Sequence, residues 1–306
     1  MNFTVKNGYK ISDLTLGTVQ LGLAYGVNND KGMPTYEESA ELIRTALGCG
    51  ITSFDTARAY GESELVLGRF FGENPVEKTL ITKAVFTGID KSLVKDTLFS
   101  IARESMTRLG IEKLPFLKLH TEKMIEEYGD TMIYALHDLK KEGLADGIGV
   151  SFSDKSHLRE YTDGCGFDCV QLPANIFDNS VIVDGSIKRL ADEGCAVFVR
   201  SIYLQGLFFK DTNTLPDSIK SAKPALDKLH ALAKDAGVSM AELAVTFIRD
   251  TEGIASLVLG ADNPAQLTES VSLINAPRIN EDVMNEAKRI AEDVPPIVTR
   301  PWEWFK

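Results

Sequence analysis

Eight short apolar runs recur along this chain, and a stretch with helical amphipathic spacing lies between most successive pairs. The runs are residues 14–17 (LTLG), 51–54 (ITSF), 79–83 (TLITK), 115–119 (PFLKL), 147–150 (GIGV), 168–172 (DCVQL), 196–199 (AVFV) and 255–259 (ASLVL). Short apolar segments bounded by Gly, Asp or Ser suit parallel strands buried on both faces. The helical stretches span about 35–48, 62–71, 91–109, 129–142, 154–161, 183–194, 239–250 and 264–274. In the first, Thr35 stands as an N-cap with Glu38 three residues on, the spacing of a capping box. Its apolar residues Ala40, Leu42, Ile43, Ala46 and Leu47 fall mainly on one stripe. Ser239 and Glu242 repeat the capping spacing.

Eight β–α repeats in roughly 250–260 residues predict a (β/α)8 TIM barrel, class α/β. A doubly wound open sheet is the main rival, but it usually has fewer strands per domain or a second domain. No linker rich in Pro, Gly or Ser breaks the chain, so residues 1–306 read as one barrel domain. Three segments lie outside the repeats. Residues 1–12 read as a short N-terminal β-hairpin, with FTV and YKI flanking the turn KNG. Residues 202–236 supply a loop and an extra helix. Residues 277–306 supply a C-terminal helix and the tail PPIVTRPWEWFK.

The net charge of −11 argues against a nucleic-acid or anionic-membrane surface, since both need a basic face. The first residues are polar and alternating, without the apolar run of a secretory signal. No apolar run approaches the ~20 residues of a membrane span. The four cysteines, at 49, 165, 169 and 195, form no C-x-x-C pair and have no histidine at zinc spacing. They read as reduced thiols in a cytoplasmic protein that carries no metal. Oligomeric state is not legible.

Barrel function gathers at the C-terminal ends of the strands. Asp55 and Tyr60 follow the second run, Lys83 ends the third, and His120 follows the fourth. Adjacent strands lie ~4.8 Å apart, so these groups can converge. A phenol with a pKa near ~10 is a poor acid at neutral pH. A nearby ammonium favours the phenolate, and a carboxylate holds that ammonium in place. An imidazole can hydrogen-bond a substrate oxygen or relay a proton. The set suits protonation of a carbonyl oxygen. It does not suit acyl transfer, because no serine or cysteine stands beside the histidine. Taken singly, each residue has an ordinary structural explanation: a helix cap, a packing ring, a solvated charge, a satisfied histidine. Taken together, those explanations require four coincidences.

At DTARAYGESELVLG the sequence resembles the aldo-keto reductase signature. The resemblance continues through LGTVQLG, ITKAVF, LKLH, LKKEGLADGIGVS, VQLPANIFD, RSIYLQGL and ASLVLGADNPAQLTES, in order and with matching spacing. It implies a (β/α)8 barrel closed at the bottom by a hairpin, and hydride transfer between nicotinamide C4 and a carbonyl carbon without a metal. Tyr60 then corresponds to the proton donor, Asp55 and Lys83 to its tuning pair, and His120 to the group that orients the carbonyl.

The resemblance also implies a dinucleotide across the barrel mouth, bound by Ser151, Gln171, Arg200, Ser201, Gly260, Gln266 and Glu269. Two departures stand out. Phe152 replaces a common asparagine, and Arg200 replaces a common aromatic ring. Arg200 can stack on the reduced ring, reach an acidic substrate, or pair with a loop acid. The family implies NADPH. The 260s segment carries Asp262 and Glu269 but no base to meet a 2′-phosphate, so NADH stays open. For the small-molecule carbonyl substrate, Tyr25, Arg58 and Trp302 are candidate contacts. Arg58 and Arg200 together hint at a sugar or other polar aldehyde. The tail either covers the pocket or packs on the barrel side. Two other readings are a Schiff-base lyase or isomerase using Lys83, and a nicotinamide-binding regulatory barrel with little turnover.

Overall fold

The computed structural model describes residues 1–24 and 32–304. Strands β1 (Phe3–Lys6) and β2 (Tyr9–Ser12) pair antiparallel, Phe3 opposite Ser12. Asn7 and Gly8 turn between them with φ of 52° and 84°. Two successive positive φ values give the primed turn whose twist matches a two-residue hairpin.

Strands β3 (Leu14–Gly17), β4 (Ser53–Asp55), β5 (Thr79–Ala84), β6 (Leu114–Leu119), β7 (Ala145–Ser151), β8 (Cys169–Pro173), β9 (Ala196–Arg200) and β10 (Ile254–Gly260) follow. They close into a parallel barrel in the order β10–β3–β4–β5–β6–β7–β8–β9. Each run read from the sequence became a strand, with ends moved by up to two residues. The starts of β4 and β7 move by two residues, and at β4 the Thr52 N–H goes to Ser12 Oγ at 3.0 Å.

The helices are α1 (Tyr36–Gly48), α2 (Ser63–Glu73), α3 (Val94–Leu109), α4 (Lys123–Tyr128), α5 (Asp130–Lys141), α6 (Leu158–Thr162), α7 (Ser180–Val183), α8 (Ser186–Asp192), α9 (Lys223–Asp235), α10 (Met240–Arg249), α11 (Pro264–Ile274) and α12 (Glu281–Glu292). The Thr35–Glu38 capping box forms in full, and Ser239 caps α10 through the Glu242 N–H. The 202–236 segment holds two 3-10 turns followed by α9, and α12 is the C-terminal extra helix. No helix among the described residues is long and apolar enough to cross a membrane.

Strand alternation explains how the barrel interior is layered. Ile81, Phe116, Cys169 and Phe198 point inward and meet Ile11 of the hairpin in an apolar plug. Near the hairpin, Thr15 Oγ1 lies 2.7 Å from the hydroxyls of both Ser53 and Ser256, and Ser12 Oγ lies 3.0 Å from Ser53 Oγ. Positions two residues further along share the same inward parity. Asp55, Lys83, Lys118, Ser151, Gln171 and Arg200 therefore form the next layer up. Outside the strands, Phe54, Leu80, Leu117, Ile148 and Val170 pack against the helices.

Candidate active site

The mouth cavity measures about 530 Å³, and its lining includes Asp55, Tyr60, Lys83, His120, Ser151, Gln171, Arg200, Ser201 and Gly260. The strands end side by side, so shared parity brings Asp55, Lys83, Ser151, Gln171, Arg200 and Gly260 to one rim, and the segments after β4, β6 and β9 add Tyr60, His120 and Ser201. Asp55 is buried at the end of β4, and each of its oxygens takes an amine. Lys83 Nζ donates to Oδ1 and, at 2.8 Å, to the Thr56 carbonyl. Lys118 Nζ donates to Oδ2 at 2.7 Å and to Gln171 Oε1 at 2.9 Å. Burial raises the Asp55 carboxyl, but Lys118 and Lys83 outweigh it and hold the group down at about 2. Burial also lowers both lysines, against the pull of Asp55.

The Tyr60 and His120 rings meet edge-on, with centroids 5.4 Å apart and planes at 83°. Lys83 Nζ lies 5.0 Å from the Tyr60 ring centroid. Burial and then the Asp55 carboxylate push the phenol up to about 12, against Arg200 and Lys118. This runs against the expectation of an acidified phenol, because burial and the Asp55 carboxylate outweigh the neighbouring cations. Burial and then the Lys83 charge push the His120 imidazole down to about 4, so it is neutral at physiological pH.

The loop carrying Tyr60 is tied on several sides. Its Thr56 and Arg58 N–H groups donate to the Ile81 and Lys83 carbonyls at 2.8 and 3.0 Å. Buried Ser63 joins Thr18 Oγ1 at 2.8 Å and Thr56 Oγ1 at 2.9 Å. Buried Glu64 accepts from Thr82 Oγ1 at 2.7 Å, with Arg108 Nε 3.2 Å from its other oxygen. The SE pair after the tyrosine is thus a clamp between the β4 loop, β5 and α3. Asp55 caps no helix: the N-cap of α2 is Glu62, and no side chain caps it.

The departures from the resemblance have structural consequences. Arg200 donates to the Phe152 carbonyl at 2.8 Å and to Ser201 Oγ at 3.1 Å, fastening β9 to the β7 loop. Ser201, Leu204 and Gln205 have φ of 64°, 46° and 53°, a left-handed course that non-glycine residues rarely take. Asn175 Nδ2 donates to the Ser201 carbonyl at 3.3 Å and helps hold it. Buried Glu122 accepts from the Ser153 and Asp154 N–H groups at 2.8 and 3.0 Å, joining the β6 and β7 loops.

Other expected contacts lie elsewhere. Arg58 does not line the mouth cavity. Buried Ala57 takes the inward place, and Arg58 turns to α3, with Nε 3.2 Å from Glu104 Oε2. Gln266 and Glu269 are exposed on α11, where Gln266 Oε1 accepts the Asp262 N–H at 2.8 Å. Tyr25 and the Trp302 side chain lie outside the described residues. Trp304 is buried away from the mouth, with its Nε1 donating to the Ile297 carbonyl at 3.1 Å and its carbonyl accepting from Ser218 Oγ at 2.6 Å. Up to Trp304, the tail packs beside the barrel.

Lys118 is the residue that sequence reasoning missed. The signal was present: in LKLH, strand alternation puts residue 118 on the same side as His120.

The cavity fits an extended dinucleotide on two observations. Gln20 Oε1 is buried at its edge without a hydrogen-bond partner among the described residues. A Cβ on Gly260 would stand 2.4 Å from Gln20 Nε2, so the lack of a side chain there keeps the groove open. No group of His, Cys, Asp or Glu suited to a metal occurs among the described residues.

A parallel barrel with acid, phenol, amine and imidazole at its C-terminal rim has the architecture of an oxidoreductase that binds its dinucleotide across the mouth. The family comparison makes this specific: the Aldo/keto reductase family model matches residues 13–292, and this chain belongs to that family of NAD(P)-dependent oxidoreductases. Its relatives include the uncharacterized oxidoreductase YqkF of Bacillus subtilis, 25% identical over 89% of this chain and 91% of the relative. Another is the NADH-specific methylglyoxal reductase of Escherichia coli, 26% identical over 87% and 90%. The aldo-keto reductase AKR11C1 from Bacillus halodurans superposes with a TM-score of 0.77 at 19% identity, covering 97% of this chain and 98% of that one.

Proposed function

We propose that the chain reduces a small polar aldehyde or ketone to the alcohol with NADH, and that Tyr60 delivers the proton. The observation that carries this reading is the convergence of Asp55, Tyr60, Lys83 and His120 on one cavity whose far wall is Ser151, Gln171 and Gly260. A bound reduced nicotinamide supplies the hydride from C4. Neutral His120 is suited to donate a hydrogen bond to the carbonyl oxygen and so fix its direction. As hydride arrives at carbon, negative charge grows on that oxygen, and the Tyr60 phenol gives it a proton. A phenol at about 12 remains fully protonated and ready at neutral pH. It is still a sufficient acid, because an alkoxide is a base comparable to hydroxide, whose parent water has a pKa of about 15.7. The Lys83 ammonium, held by Asp55, stabilises the phenolate left behind.

In this reading Ser151 and the Gln171 amide would hold a nicotinamide carboxamide, and Gln20 and Gly260 would pass the pyrophosphate end toward α11. For the nucleotide, the acidic lining of the cleft beside that segment supports NADH. About 570 Å³ in volume, it is lined by Glu38, Glu41 and Asp262 and, among the described residues, by no lysine or arginine. A 2′-phosphate there would face carboxylates. The NADH-specific relative points the same way. The Schiff-base reading loses ground because Lys83 is engaged by Asp55 and Thr56.

The test is a panel of aldehydes, methylglyoxal included, with reduced-nicotinamide absorbance followed for each cofactor. Turnover is expected, and Tyr60→Phe should lose about 10²- to 10⁴-fold in kcat while still binding dinucleotide. If wild type consumes neither cofactor with any aldehyde, the reading fails.

A further inference from the structure

Buried deeper than the four groups discussed above is a second lysine on the same carboxylate. Lys118 is fully buried and stands directly opposite Lys83 in the register between β5 and β6. Its ammonium touches Asp55 Oδ2 at 2.7 Å and Gln171 Oε1 at 2.9 Å, and lies 4.9 Å from the Phe198 ring centroid. All three partners favour the charged form. The partner of Lys118 on β7 is Gly149, where a Cβ would stand 1.9 Å from the Cys169 carbonyl oxygen. The surrounding backbone is therefore packed tightly, and the amine has a fixed place.

Two consequences follow from elementary chemistry. A lysine ammonium has only donors, so the atom of Gln171 that faces it must be the oxygen. The Gln171 NH2 group is then turned toward the cavity. Charge also fails to balance: one carboxylate, Asp55, faces two ammoniums, Lys83 and Lys118.

Resting on the oxidoreductase reading above, we propose that Lys118 is a positioning residue of this site. It fixes the Gln171 amide with its NH2 group outward for the nicotinamide carboxamide oxygen, and it places a surplus positive charge beneath the ring, so that the dinucleotide with the neutral reduced ring is held in preference to that with the cationic oxidised ring. The charged and titratable groups facing Tyr60 are Asp55 from β4, Lys83 from β5, Lys118 and His120 from β6, and Arg200 from β9. Among these, Lys118 helps the phenolate form and can be removed while leaving Asp55 paired one-to-one with Lys83.

The test uses the full chain as wild type, K118M and K118Q. Two things are measured: Kd for NADH and for NAD+ by fluorescence, and the pH dependence of alcohol oxidation, which needs the phenolate. Both variants should lose about tenfold of the NADH-over-NAD+ preference, the scale of one charge acting across a partly polarisable interior. On the rising pH limb, below the phenol's own range, the rate at a given pH should fall about tenfold, the equivalent of a shift of about one unit. K118Q, whose amide can still donate to Gln171, should keep more affinity for both forms than K118M. A folded variant that binds dinucleotide with an unchanged ratio and limb would overturn the role of Lys118 and leave the oxidoreductase reading standing. Failure of wild type to bind either dinucleotide would overturn both. If K118M does not fold, the ratio and limb of K118Q decide.

Discussion

The backbone of Gly22 lies against that of Tyr60: a Cβ built on Gly22 would stand 1.9 Å from the Tyr60 carbonyl oxygen and 2.4 Å from the Ser63 nitrogen. The approach is mutual. A Cβ on Gly61 would stand 2.2 Å from the Gly22 carbonyl oxygen, and Gly61 has a φ of 52°. Gly22 itself has a φ of −124°, open to any residue, so the demand for glycine there is purely steric. The phenol is therefore set in depth by a backbone-to-backbone contact between the β3 and β4 loops.

Gly22→Ala should accordingly push the Tyr60 loop outward. Overpacking of this kind costs about 1–3 kcal/mol. A urea titration should show a lower midpoint, and kcat should fall in the folded fraction while dinucleotide affinity changes little. Wild-type midpoint and turnover in this variant would show that the contact does not place the phenol.

His120 gives a pH prediction whose sign is fixed by its burial. Its imidazole is pushed down to about 4 from an ordinary 6.5, so between those values the unfolded chain binds a proton that the folded chain refuses. Stability should fall as pH is lowered through that window, by at most ~1.4 kcal/mol per pH unit from this group. Asp55 acts in a separate, lower window. Its stabilisation is present above 3.8 and is lost as pH falls toward about 2. Urea unfolding at pH 7, 6 and 5 should show a shallower pH slope in His120→Asn than in wild type. Equal slopes would mean that the folded imidazole titrates normally.

The acidic cleft beside α11 predicts lower KM for NADH than for NADPH. Asp262 is exposed at its edge, and its backbone N–H donates to Gln266 Oε1. Asp262→Lys replaces a repulsive charge with a phosphate partner, so NADPH should gain about tenfold in kcat/KM, the scale of 1.4 kcal/mol, with NADH nearly unchanged. A thousandfold NADPH preference in wild type would mean that the 2′-phosphate is received elsewhere.

The barrel and four of its rim residues were legible because both rest on short-range pattern. Strand parity places Asp55 and Lys83 inward, and the rhythm of eight repeats orders the strands around the rim. Lys118 was legible in principle, but a lysine in a strand reads as solvent-facing until the strand is known to be closed on both sides. Arg58 misled for the opposite reason. Its position beside Tyr60 placed it at the mouth, yet its direction is set by Glu104, 46 residues away on another helix. The state of Tyr60 was also misjudged. Residue types name the charges present, but burial of the phenol and the Asp55 carboxylate decide which effect prevails.

Trp304 offers a test of where the chain's last helical turn belongs. It is buried against the core, its indole N–H donates to Ile297, and its carbonyl accepts from Ser218 of the segment between β9 and α9. Among the described side chains of residues 293–304, none lines the mouth cavity. Trp304→Ala removes a large ring from a packed site, a change that costs about 3–5 kcal/mol. The indole hydrogen bond is lost with the ring, so no buried donor is left behind, and the Ile297 carbonyl keeps the Arg300 N–H at 3.3 Å. Thermal unfolding should therefore occur at a markedly lower temperature. Below the transition, kcat and KM for aldehyde should stay within about twofold of wild type, since each kinetic tenfold needs 1.4 kcal/mol at the reacting groups themselves. A large rise in KM with unchanged stability would instead place this end of the chain over the substrate.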